Sequence, residues 1–82
     1  MLKSLHSIEN ISLIAWLKEQ RELKCLSMRA LALKLGKPHS FVGKVEQGER
    51  RLDLIEYLWY CEALDVPPLE GIEVIKAAKR AC

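Results

Sequence analysis

The sequence has no long uninterrupted run of apolar residues, and its longest such runs cover only a few positions. No segment is therefore long enough to cross a bilayer, which takes about 20 consecutive apolar residues in a helix. The opening stretch, MLKSLHSIEN, also lacks the apolar region and the small-residue cleavage site of a signal peptide. We therefore expect a cytoplasmic protein with no membrane partner.

The three cysteines show no pairing pattern. Cys25, Cys61 and Cys82 are odd in number, lie far apart and form no Cys-x-x-Cys pair. Neither His6 nor His39 has a ligand spacing to any of them, so a zinc site is not expected. The simplest interpretation is reduced thiols in a cytosolic protein, two of them in the core.

Sequence patterns typical of enzymes are missing as well. The chain has no Gly-rich phosphate loop, no His/Cys or Ser/His arrangement at a telling spacing, and no isolated carboxylate pair on an apolar face. We therefore predict no enzyme activity, no cofactor, no metal and no small-molecule ligand. No linker, repeat or low-complexity tract divides the chain, so residues 1–82 are expected to form one domain.

The charge is unevenly distributed along the chain although the net charge is only +2. Residues 1–51 contain ten Lys/Arg and five Asp/Glu, whereas residues 52–82 contain three Lys/Arg and six Asp/Glu. This asymmetry would suit a protein that binds an anionic partner with one face and makes a different kind of contact with another face. Random scatter over solvated helix faces explains it equally well, so charge alone does not decide the function.

Helical periodicity runs through nearly the whole chain, and no segment alternates as a half-buried strand would. A first helix is predicted at about residues 7–24. Its apolar stripe consists of Leu5, Ile8, Ile11, Ile14 or Ala15, and Leu17 or Lys18. Ser27 has the position of an N-cap for a second helix, which should end at Gly36 because glycine readily adopts the left-handed conformation. Its apolar residues are Leu31, Ala32 and Leu35.

Three further helices are predicted from residues that break helices and residues that cap them. Pro38 suits the entry of a third, short helix at about 39–47, which Gly48 ends. Asp53-x-x-Glu56 is a capping box for a fourth helix at about 53–64. Val66-Pro67-Pro68 interrupts the pattern, and a fifth helix at about 68–80 carries Leu69, Ile72, Ile75 and Ala78 on one face. The prediction is an all-α fold of five helices.

The second and third helices, joined by a short turn containing glycine, match the helix-turn-helix unit. The stretch PHSFVGKVEQGERRLD is far more specific. Over about residues 13–66, the sequence resembles the Cro/cI-like helix-turn-helix regulators, also called the XRE (xenobiotic-response-element) family. It is most similar to a bacterial and phage subgroup with the pattern P-x-S-F-V-x-K-x-E-x-G-E-R-R-L-D, which 38–53 reproduces at every fixed position.

The resemblance implies a lambda-repressor-like domain that binds double-stranded DNA as a homodimer and regulates transcription, as a repressor. Similar proteins lay the third helix in the major groove. The base-contacting residues would be His39, Ser40, Phe41, Gly43 and Lys44. The phosphate-contacting residues would be Ser27, Met28, Arg29, Lys37, Gln47, Arg50 and Arg51. Arg21 and Glu46 match a family ion pair that joins the first helix to the third.

Several of these assignments have an ordinary structural alternative. His39 could simply sit in a turn, and Arg21 could be a solvated helix charge. Phe41 could meet a thymine methyl group or fold back into the core against Leu52. Gly43 costs a helix about 1 kcal/mol, which is tolerable where a side chain would block close approach to the duplex.

Two positions depart from the family pattern. Met28 stands where related proteins often have a glutamine that bonds a phosphate, and its thioether cannot do so. Phosphate contact would then shift to Ser27 and Arg29. Cys25 stands where relatives commonly have glycine, so we expect the turn there to avoid a left-handed residue.

The fourth helix carries apolar residues at positions that usually face water. Ile55, Leu58, Trp59 and Leu69 could form an exposed patch for dimerisation. Alternatively, the fifth helix could fold over them within the monomer. An alternative function is a protein-interaction module, such as an antitoxin-like partner that keeps the fold without using DNA.

Overall fold

The computed structural model describes residues 7–81, with side chains for residues 7–79. It contains, within these residues, helices and no strands, which confirms the all-α prediction. The helices are α1 (Ile8–Leu23), α2 (Met28–Leu35), α3 (His39–Glu46), α4 (Leu54–Leu64) and α5 (Pro68–Ala81). Their bounds lie within a residue or two of the predicted ones. No helix in the described part is both long and apolar enough to span a bilayer. Leu5, His6 and Cys82 lie outside the described residues.

The helix starts are fixed by the side chains that the sequence suggested. Ser27 caps α2, because its hydroxyl oxygen accepts a hydrogen bond from the amide of Ala30 at 3.0 Å. Asp53 and Glu56 form the capping box of α4. The Asp53 carboxylate accepts from the Glu56 amide at 2.7 Å, and the Glu56 carboxylate accepts from the Asp53 amide at 3.0 Å. These bonds satisfy amides that have no partner inside the helix.

The turns that end α1, α2, α3 and α4 share one backbone arrangement. Each contains a residue with positive φ, and two consecutive amides donate back to carbonyls in the last helical turn. This is the hydrogen-bond pattern of the Schellman motif. The positive-φ residues are Cys25 (58°), Gly36 (68°), Gly48 (77°) and Asp65 (57°).

The prediction that the turn at Cys25 avoids the left-handed conformation was wrong. The Cys25 amide donates to the carbonyl of Glu22 at 3.0 Å, and the Leu26 amide donates to the carbonyl of Arg21 at 3.1 Å. These two bonds hold a non-glycine residue in a region that costs roughly 1–2 kcal/mol for an L-amino acid. The backbone pattern therefore overrides the preference of the side chain.

The core lies between the inner faces of α1, α2, α3 and α4. Its buried residues are Leu17, Leu31, Ala32, Phe41, Val42, Val45, Tyr57, Tyr60, Cys61 and Leu64. Cys61 is thus a core thiol, and burial raises its pKa above the ordinary value. Cys25 is exposed, so of the two described cysteines only Cys61 lies in the core, where two of the three were expected.

Gly71 sets how closely α5 packs on the rest of the molecule. A Cβ atom at this position would overlap the Tyr57 hydroxyl group and come within 2.8 Å of Cζ3 of Trp16. The Tyr57 hydroxyl also donates to the carbonyl of Pro68 at 2.5 Å. Side chains from α1 and α4 therefore occupy the space that a larger residue would need, and α5 rests mainly against α1.

We predict opposite effects of alanine at the two helical glycines. Gly71→Ala should lower the free energy of unfolding by about 1–3 kcal/mol, because the new methyl group overpacks the contact with Tyr57. Gly43→Ala should raise it by up to about 1 kcal/mol, because a Cβ there meets its nearest neighbour at an ordinary 3.9 Å and alanine favours the helix. Urea unfolding of both variants measures the difference. Equal effects would contradict the packing role of Gly71.

Candidate nucleic-acid interface

The third helix has a buried side and an exposed side. Val42 and Val45 point into the core, with at most 1% of their surface exposed. The opposite side is exposed or half-buried and carries the polar residues. We call this the outer face of α3; it consists of His39, Ser40, Gly43 and Lys44, together with Gln47 just after the helix.

A buried ion pair fixes the end of α3 against α1. Arg21 donates to both carboxylate oxygens of Glu46, through Nε at 2.7 Å and through a terminal nitrogen at 3.1 Å. The two side chains are only 9% and 4% exposed. Arg21 also donates to the carbonyl of Leu26 at 2.8 Å, so that one guanidinium links α1, the following turn and α3. The hydrogen bonds with Glu46 raise the pKa of Arg21 above its ordinary value. This is the ion pair that the family resemblance implies.

Phe41 lies in the core and is 9% exposed. Its ring is covered by two cations, with Nζ of Lys37 at 5.5 Å and Cζ of Arg50 at 4.9 Å from the ring centroid. Leu52 packs against the same core. The structure thus supports the core alternative for Phe41 and removes this residue from the base-contacting set, because its ring is not available on the outer face of α3.

Arg50 is held by Glu56 at the start of α4. Its two terminal nitrogens donate to the two carboxylate oxygens at 3.0 and 2.7 Å, and one of them also donates to the carbonyl of Arg51 at 2.7 Å. The bond from Arg50 is the main cause that lowers the pKa of Glu56 below its ordinary value. Arg50 is thus held by Glu56 and by the Phe41 ring while 40% of its side chain remains exposed, and its assignment as a phosphate contact stays a prediction.

Other cationic residues lie beside the outer face of α3. Arg29 and Lys37 line one groove together with His39, and Ala32 and Leu33 complete that groove. Lys44 is exposed on the outer face itself. Arg29 from α2, Lys37 from the turn and His39 from α3 therefore come together in one groove.

Met28 lies next to the outer face of α3. It is the first residue of α2, directly after the N-cap Ser27, and it is 40% exposed. A Cβ atom on Gly43 would be 3.9 Å from the Met28 sulfur, which would be its nearest neighbour outside the α3 backbone. Met28 therefore borders the place where α3 has no side chain.

Comparison with known proteins identifies the family to which this helix pair belongs. Residues 17–70 match the helix-turn-helix family HTH_3. The chain belongs to this family of XRE-type, DNA-binding transcription regulators. No curated protein sequence matches the chain.

Two solved structures are similar to this helix-turn-helix protein. One is an XRE-family like protein from Pseudomonas syringae pv. tomato str. DC3000, with a TM-score of 0.82, 34% identity and coverage of 93% of both chains. The other is the restriction-modification controller protein C.AhdI from Aeromonas hydrophila, with a TM-score of 0.73 and 35% identity. That match covers 79% of this chain and 98% of the controller protein.

The suggested dimer patch is exposed in the helix-turn-helix monomer. Trp59 is 51% exposed, and Ile55, Leu58 and Leu69 are exposed as well. Since α5 rests mainly on α1, the alternative in which α5 buries Ile55 and Trp59 was wrong. We call Ile55, Leu58 and Trp59, which share one side of α4 at helical spacing, the α4 patch. Leu69 lies apart from them in sequence, on α5.

The pair between Arg50 and Glu56 was not foreseen from the sequence. A signal for it existed, since the capping box already placed the Glu56 carboxylate at the start of α4, six residues after Arg50. A carboxylate that caps a helix still has lone pairs free for a guanidinium. The sequence alone did not show that the loop folds Arg50 back onto it.

The buried pair of Arg21 and Glu46 should be far more sensitive to mutation than a surface pair. Arg21→Met should lower the free energy of unfolding by about 3–5 kcal/mol, because it leaves a buried carboxylate uncompensated. The double variant Arg21→Met/Glu46→Leu should recover much of that loss. Urea unfolding is the measurement.

Lys76→Met provides the matched control. Lys76 forms an exposed pair with Glu73 at 3.7 Å, and we expect its loss to change stability by no more than about 0.5 kcal/mol. If Arg21→Met were as mild as this control, the buried pair would not be the anchor of α3.

Proposed function

We propose that this protein is a sequence-specific transcription repressor that inserts α3 into the major groove of DNA. The observation that carries the proposal is the division of α3 into two sides. Its inner side and its end are fixed by the core and by the Arg21–Glu46 pair, whereas its outer face presents polar groups to solvent. A rigid helix with free polar side chains is what base recognition in the major groove requires.

The outer face of α3 carries groups able to read base edges. His39 and Ser40 lie in the first turn of the helix and can both donate and accept hydrogen bonds. Lys44, one turn further along, can donate to a guanine or to a phosphate. Gly43 lies between them and lets the backbone approach the duplex. We propose these four residues as the base-reading set, without Phe41.

The surrounding residues are suited to contact phosphates. We propose Ser27, Arg29, Lys37, Gln47 and Arg51 for this role. The electrostatic balance supports it, because the carboxylates of Glu46 and Glu56 are already paired with Arg21 and Arg50. Their negative charge is thereby compensated within the protein, and an anionic backbone can approach the remaining cations.

The test is selection of bound duplexes from a random pool, followed by sequencing. We expect the wild-type protein to enrich one partly palindromic sequence. His39→Ala should bind that sequence about 1–3 kcal/mol more weakly and lose preference at one base pair in each half-site, since one direct contact is removed. Binding titrations against operators changed at single positions measure both effects.

Two results would contradict the proposal. Unchanged affinity of His39→Ala for every operator would show that α3 docks in another register. If the wild-type protein retained no duplex at all, the alternative of a protein-interaction module would replace DNA recognition. The exposed α4 patch is the feature that this alternative would use.

We propose that a second copy of this chain covers the α4 patch. The eight residues of α3 can read only one half-site, and helix-turn-helix domains commonly reach two half-sites as symmetric pairs. The chain from residue 52 onward is net negative, so this side is unsuited to DNA. Three large apolar side chains on one side of α4 are suited to a self-complementary contact instead.

We predict that Trp59→Glu shifts the protein from dimer to monomer, because it places a charge in the centre of the apolar contact. Size-exclusion chromatography with light scattering measures the change. Leu23→Glu is the control, since Leu23 is also an exposed apolar residue but lies at the end of α1. The control should remain dimeric. A stable dimer of Trp59→Glu would show that the subunits meet elsewhere.

A further inference from the structure

Two exposed apolar side chains near the outer face of α3 are not used by the proposed function: Leu33, in the groove beside His39, and Met28, beside Gly43. Sequence reasoning offered Phe41 for apolar contact with a base, but the ring is buried under Lys37 and Arg50. Met28 is exposed instead, at the start of α2 and beside the outer face of α3. The apolar element of this surface therefore comes from α2 and not from α3.

Met28 and Gly43 together form a small recess. Gly43 has no side chain, and a methyl group placed at its Cβ position would be 3.9 Å from the Met28 sulfur, an ordinary van der Waals distance. The walls are the methionine thioether and the α3 backbone, and the neighbouring Ser40 and Lys44 are exposed on the same face. The recess is thus apolar, bordered by polar groups, and can hold a methyl group at ordinary contact distance from the Met28 sulfur.

The geometry points to a recess that receives the 5-methyl group of a thymine in the major groove. This inference rests on the proposed docking of α3 into DNA. Among the four bases, only thymine presents a methyl group on the major-groove edge, and apolar side chains are its usual partners. A thioether is polarizable and flexible and can adjust to such a contact. Ser40 and Lys44 would bond the polar edges of adjacent bases.

The consequence is a thymine preference that Met28 determines. A glutamine at this position could donate or accept hydrogen bonds and would not distinguish a methyl group from hydrogen. Burial of one methyl group is worth about fourfold in affinity. Each half-site should therefore contain one thymine whose methyl group contributes about that factor.

Deoxyuridine provides the direct test, because it differs from thymidine only in lacking the 5-methyl group and pairs with adenine in the same way. The operator obtained by selection is synthesised with each thymine replaced in turn by deoxyuridine. We expect wild-type affinity to fall about fourfold at one thymine per half-site and to remain unchanged at thymines outside the recess. Fluorescence anisotropy titration measures the affinities.

Three variants assign the effect to the recess. Met28→Ala should abolish the difference between thymine and deoxyuridine at that position, whereas Met28→Leu should retain it because leucine is also apolar. Gly43→Ala fills the recess, so it should abolish the difference as well. Urea unfolding should show that Gly43→Ala is at least as stable as the wild type, which separates loss of recognition from loss of folding.

The possible failures are distinguishable. If the wild-type protein selects an operator but no deoxyuridine replacement changes its affinity, the inference about the recess is overturned and the proposed function stands. The same holds if Met28→Ala keeps the full thymine preference. If no duplex is selected, the proposed function fails and the recess loses its ligand.

Discussion

The position of α3 depends on the ion pair between Arg21 and Glu46. Five N–H donors in a rigid fork let one guanidinium bind the carboxylate of Glu46 twice and still reach the carbonyl of Leu26. Such a pair adds little net stability because both charges lose their hydration. Its contribution is geometric, because it fixes the end of the eight-residue helix α3 relative to α1. The apolar contacts of Val42 and Val45 alone would fix this position less strictly.

A second arginine–carboxylate pair serves the start of α4. Glu56 accepts from both Arg50 and the Asp53 backbone, so it closes a capping box and orients the loop after α3. The two pairs have one property in common, since in each an arginine compensates the charge of a carboxylate. Neither carboxylate therefore needs Arg29, Lys37 or Lys44 as its partner.

The sequence was most informative where short-range rules apply. Ser27, Gly36 and the Asp53-x-x-Glu56 box located helix ends to within a residue or two, because caps and left-handed turns involve neighbours in the chain. The points that the sequence left open or missed concern contacts between distant segments. Whether Phe41 faces a base or the core, and whether Arg50 meets a phosphate or Glu56, depends on how the loop after α3 folds back. The prediction for the turn at Cys25 was wrong for another reason, since the backbone hydrogen bonds of that turn outweighed the conformational preference of cysteine.

The two-sided construction of α3 separates folding from recognition within a single helix. Phe41, Val42, Val45 and Glu46 hold the helix in place, and they alternate with outward residues that have no share in the core. Substitutions at His39, Ser40 and Lys44 can therefore accumulate without disturbing the fold. After gene duplication, a copy of such a protein can acquire a new DNA preference through a few surface substitutions while its fold is unchanged. The same fold can be given a new target in the laboratory by varying those positions.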